Sequence, residues 1–241
     1  MDVKTTKESR INTNKWRIGG FIGAFFAVMA MFLIVPIFEK NFFTHLLLQS
    51  SFILLILSTI YTIDRQRNVL ITGLFILIPF IYFDSLSFHY HSISYLVAAY
   101  GFSLVFTLFA ILVLMRKILA APVVNANLVF GALMVYLLAG ILWADIYFIE
   151  NIVSPSSFQG AGTITFDSSD SYSQQFNFLY YSFATLATLG MGDITPLNHL
   201  AKSLTAMEAM FGQLFVAIII AKLVSVWWRV SEVKDEQMEK L

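Results

Sequence analysis

Thr188-Leu189-Gly190-Met191-Gly192-Asp193 lies between two long apolar stretches of the chain. An ordinary strand alternates its backbone carbonyls between two sides. A dehydrated cation needs a ring of oxygen dipoles, and the backbone supplies one only if successive carbonyls point the same way. That arrangement requires positive φ at intervals, which Gly190 and Gly192 adopt without steric cost. Gly-x-Gly-Asp also occurs in soluble turns, so the apolar setting carries the reading.

The setting is explicit in the composition. Of 241 residues, 58% are hydrophobic, 16% aromatic and only 12% charged. Globular domains carry about 25% charged residues, so the composition is that of an integral membrane protein. Formal net charge is zero, which gives no bulk attraction to nucleic acid. There is no cysteine, so disulfides and thiolate metal sites are excluded. The first apolar run is too long for a signal-peptide core and lacks a clear cleavage site, so it reads as retained.

A membrane helix takes about 20 mostly apolar residues. The candidate spans are Ile18–Phe38, Phe43–Ile63, Val69–Phe83, Ile93–Met115, Asn125–Ile149 and Leu200–Trp228. The third is short and extends toward Leu86 or is covered at its ends. Lys4, Lys7, Arg10, Lys15 and Arg17 precede the first span; Arg65, Arg67, Arg116, Lys117, Arg229, Lys234 and Lys240 fall on the same side of a six-span topology. The other side carries Lys40 and Lys202. Both termini are therefore expected in the cytoplasm. The organisation expected is a tail over 1–17, four helices over 18–117, a second unit over 118–228 and a short tail over 229–241. The Ser154–Gln175 stretch reads as an outward, mainly solvated loop whose Asp167 and Asp170 enrich cations nearby.

Phe176 to Ala187 is apolar but too short to cross a bilayer. It suits a half-membrane helix, followed by non-helical backbone tolerated only where protein or water covers it. Such a helix aims its negative end, roughly half a charge, at the membrane centre. From Tyr180 to about Val224 the chain resembles the pore domain of potassium channels, above all bacterial six-span ones, whose filter reads Thr-Val-Gly-Tyr-Gly-Asp. The resemblance implies an all-α fold of six transmembrane helices, with a pore helix (176–187), a filter (188–193) and an inner helix (199–228). It implies K+ ligands at Thr188, Leu189, Gly190 and Met191, with Gly192 completing the strand and Asp193 capping it from behind. Four filter strands make one cage and the chain holds one motif, so a homotetramer is expected. The implied partners are three identical subunits, K+ and membrane lipid. No cofactor is implied beyond the permeant ion. The implied location is a plasma membrane, the inner membrane if the source is bacterial.

The chain also departs from that family. Met191 stands where the family has Tyr or Phe, and methionine is flexible and lacks a hydroxyl. Either it fills the same space, or the filter is more pliable and the channel weakly selective. Tyr181 and Thr185 occupy the matching pore-helix positions. Glu208 falls mid-membrane on the sixth span, where an ionisable group is a functional candidate; either it bonds the back of the pore helix at Thr185 or Tyr181, or it is a protonated carboxyl bonded to neighbouring backbone or facing a water-filled crevice. Asp145 and Glu150 close the fifth span, bracing the filter region or snorkelling to the interface. Gly212 interrupts a good helix-forming run at a cost of about 1 kcal/mol, permitting a hinge or close packing. Helical spacing places Gln213, Val216, Ala217 and Ile220 on one face, assigned to the cavity and inner gate.

The fourth span carries no Arg or Lys. Voltage sensing needs several charges moving through the field, each worth about 2.3 kcal/mol per 100 mV, so little voltage dependence is expected. Asp84, His89 and His91 form an outward cluster that either titrates near neutrality or is simply solvated. A transporter would need repeats and broken helices in both halves, and one re-entrant element is legible. The carboxylates and histidines do not assemble into nucleophile–base spacing, so no enzyme is expected.

Overall fold

The computed structural model describes Gly23, Phe25, Phe26, Met29, Ala30 and residues 67–90, 92–120, 126–161 and 168–238. Most of Ile18–Phe38, all of Phe43–Ile63, Asp167 and the side chains of Asp170, Trp227 and Trp228 fall outside the described set. Within it the fold is helical: α1 (Arg67–Tyr90), α2 (Ile93–Ala120), α3 (Ala126–Val153), α4 (Ser168–Leu186) and α5 (His199–Met238). Two short strands, β1 (Phe158–Gln159) and β2 (Thr195–Pro196), pair antiparallel with Phe158 opposite Pro196.

Among the described residues, three helices are long and apolar enough to cross a membrane: Ile93–Ala120, Leu128–Val153 and His199–Lys222. In α1 the apolar stretch is shorter, Ile71–Ser87. This helix is longer than the span expected at Val69–Phe83, and it extends past Leu86.

α3 is the hub because its faces are apolar almost all round. Along its first half Ala132, Met134, Val135 and Leu138 pack with Phe106, Ala110, Leu114 and Ile118 of α2, and with Phe215 of α5. Along its second half Ala144, Tyr147, Phe148 and Ile152 pack with Tyr100 of α2, Phe158 of β1, and Phe178 and Tyr181 of α4. Each large side chain buried this way contributes about 1.5–3 kcal/mol. The two clusters, one above the other, fix α4 and α5 against one rigid helix.

α4 starts at Ser168, ahead of the expected Phe176. Ser and Asp are weak helix formers inside a helix but favour its first turn, and Ser168-Ser169-Asp170 occupies that turn. The apolar part of α4 still begins near Phe176, so the half-helix reading concerns its second half.

Candidate functional site

The site forms where α4 ends. The Leu189 amide donates to the Ala184 carbonyl and the Thr188 amide to the Thr185 carbonyl, each at 2.8 Å. This paired closure is a Schellman motif, which needs a left-handed residue at the first position past the helix. Thr188 takes that place with φ 56°. Glycine is usual there; a β-branched residue costs roughly 1–2 kcal/mol in that conformation. The chain thus holds a hydroxyl at the helix end against backbone preference.

Beyond it the sign of φ alternates. Thr188, Gly190 and Gly192 have φ of 56°, 58° and 82°, whereas Leu189 and Met191 are not in the positive region. Alternating right- and left-handed residues turn the amides to one side of the strand and the carbonyls to the other. Positive φ at Gly190 and Gly192 is what the two glycines led us to expect, and Thr188 adds a third such position. Leu189 and Met191 are 65% and 63% exposed in the single chain.

The limb after Asp193 is clamped by the segment read from sequence as a solvated loop. Phe158 is buried against Tyr147, Phe178 and Tyr181. Gly160 (φ 84°) lies so close to the limb that a Cβ there would stand 2.1 Å from the Asp193 carbonyl oxygen. The Leu197 amide donates to the Ser157 carbonyl at 2.8 Å. Asn198 donates through Nδ2 to Glu150 Oε1 and to Ser157 Oγ, both at 2.9 Å, and its Oδ1 caps α5 by accepting from the Ala201 amide at 2.6 Å. Glu150 therefore braces the base of the limb, one of the two options its position left open. Gly160, Ser157 and Asn198 were missed; only Asn198, an N-cap type just ahead of a helix, carried a legible signal. Asp145 accepts from Ser103 of α2 at 2.7 Å and so joins α2 to α3. The Asp193 carboxylate accepts the Ile194 amide at 3.0 Å.

Behind α4, Glu208 is fully buried. Its expected partners were Thr185 or Tyr181. Instead Ser182 Oγ meets Oε1 and Tyr147 donates to Oε2, each at 2.5 Å. Ser182 lies one helical step from the expected positions, and the sequence could not fix the rotation of α4 about its axis. Tyr181 shares a hydrogen bond with Thr205 Oγ1 at 2.8 Å, and Tyr181 and Thr185 are both buried. Glu208 thus ties α3, α4 and α5 at one point. Replacing it with leucine strands the Tyr147 hydroxyl, at about 1–3 kcal/mol per orphaned buried group. Glu208→Gln keeps an acceptor for Tyr147 and a polar contact for Ser182. Thermal unfolding of the purified protein is expected to show a much larger loss for Glu208→Leu than for Glu208→Gln; equal losses would show that the bonds do not matter.

On α5, Gly212 meets the end of α4: a Cβ there would stand 2.2 Å from the Leu186 carbonyl oxygen. α5 continues helical through this position. Of the two uses open to this glycine, close packing is the one observed here. Gln213 Nε2 donates to Thr188 Oγ1 at 3.2 Å. Val216, Ala217 and Ile220, on the same helix, are exposed in the single chain.

The closed end of α4, the positive-φ residues that follow it and the long apolar helices α3 and α5 are brought together here. Residues 132–229, which run from α3 to α5, match a family model described as "Ion channel". The match supports an ion channel as the general class, and with the apolar helices it supports a membrane protein. No curated protein and no solved structure matches the chain.

Proposed function

We propose that the chain is one subunit of a homotetrameric potassium channel of the six-span type, with little voltage dependence. The alternating φ of Thr188, Gly190 and Gly192 carries the reading. It gives a row of carbonyls fit to replace the hydration shell of a monovalent cation. K+ would be held by Thr188, Leu189, Gly190 and Met191, with no other cofactor. Non-helical backbone at membrane depth has to be covered by protein or water. Leu189 and Met191, apolar and exposed on a single subunit, would be covered by neighbouring copies around a four-fold axis. Rubidium uptake into potassium-loaded liposomes containing the purified protein tests the proposal. Uptake well above that of empty liposomes is expected, and uptake no greater than theirs would contradict it.

Met191 motivates the second reading, a weakly selective cation channel on the same architecture. As a packing residue, Met191 changed to tyrosine should leave the potassium-to-sodium permeability ratio within about twofold. A tenfold rise, equivalent to about 1.4 kcal/mol, would favour the weakly selective reading for the native chain.

A further inference from the structure

Between Glu208 and Lys222 the only polar side chain on α5 is Gln213. Polar groups on a span are costly unless they serve a partner, and the partner here is the first residue of the filter strand. Three features converge on that contact. The Schellman closure fixes the Thr188 backbone, leaving only its side-chain torsion and hydroxyl rotor free. Gly212 lets α5 approach the end of α4 to a distance no other residue permits. From the next position, Gln213 Nε2 reaches Thr188 Oγ1 at 3.2 Å.

A threonine hydroxyl has one hydrogen and two acceptor lone pairs. Accepting from Gln213 occupies one lone pair and sets the direction of the other. We infer that Gln213 is a positioning residue for the innermost cation ligand: its amide N–H orients the Thr188 oxygen and so sets the affinity of that site for a dehydrated cation. The inference rests on the proposed function, in which Thr188 is a filter ligand. Groups that orient ligating atoms change metal affinity by about 10–100-fold when removed.

The test is Ba2+ binding, measured by calorimetry on the purified protein in potassium-free buffer, so that conduction is not required. Gln213→Met keeps the length without a donor, and Gln213→Asn keeps polarity without the reach. Each is expected to bind Ba2+ at least about tenfold more weakly than the native protein. In a Thr188→Ala background, Gln213→Met should produce no further loss, because the oxygen it orients is gone. Native affinity in both single variants would overturn the inference. So would equal losses in the presence and absence of the Thr188 hydroxyl, which would place the effect of Gln213 in helix packing. If the native protein binds no Ba2+ and carries no rubidium, the channel reading falls and this inference with it. If the native protein does both and the variants match it, only this inference falls.

Discussion

Gly212→Ala is expected to reduce rubidium uptake by tenfold or more. The added methyl would stand 2.2 Å from the Leu186 carbonyl oxygen and 3.1 Å from its carbon. Both atoms are backbone, at the end of a helix that Ser182 ties to α3 through the Gly140 carbonyl at 2.7 Å. Neither side can yield by rotating a side chain, so α5 must move away. Overpacking of this kind costs about 1–3 kcal/mol, occasionally more, and each 1.4 kcal/mol is tenfold in a population. The displacement would also pull Gln213 from Thr188. The matched control is Gly101→Ala on α2, where an added Cβ meets nothing within 4 Å and alanine favours the helix by about 1 kcal/mol. Uptake near native for Gly212→Ala would show that α5 does not need to approach the filter so closely.

Gly160→Ala is expected to have a comparable effect, through the Asp193–Ile194 limb. Here two penalties coincide. The residue holds φ at 84°, and its Cβ would stand 2.1 Å from the Asp193 carbonyl oxygen and 3.4 Å from Ile194 Cα. The left-handed backbone alone costs alanine roughly 1–2 kcal/mol. Relief of the contact requires β1 to separate from β2, or the Asp193–Ile194 limb to shift. Under the proposed function, single-channel recordings should show a loss of open time with little change in unitary current, because the backbone from Thr188 to Gly192 is unaltered until the limb moves. A Gly160→Ala protein with native open time would mean that the clamp does not hold the 188–193 segment.

The two glycines differ in how legible they were. Gly212 stood out in the sequence as a break in a helix-forming run, although sequence could not choose between bending and packing. Gly160 sat among Ser, Gly and Asp residues that read as solvent-facing, and its contact with Asp193 joins positions far apart in the chain. The two-residue strand β1 is too short to show any alternation, so the burial of Phe158 had no local signature. The positive φ of Gly190 and Gly192 was legible because glycine tolerates it without help from distant residues. Thr188 escaped that logic: the Schellman bonds of α4 force a β-branched residue into a conformation its own preference opposes. The helices α2, α3 and α5 were legible from long apolar runs. The start of α4 was not, because its first turn is built of residues equally at home in a loop. Glu208 was singled out correctly as a buried carboxyl on a span, but its partners depend on the rotation of α4, which no local pattern fixes.

Under the proposed function, backbone carbonyls from Thr188 to Met191 select potassium. The most direct measurement is the reversal potential of the purified protein in a planar bilayer, with potassium on one side and sodium on the other. The account predicts unitary currents reversing near the potassium equilibrium limit. Clear unitary currents reversing near zero would contradict it.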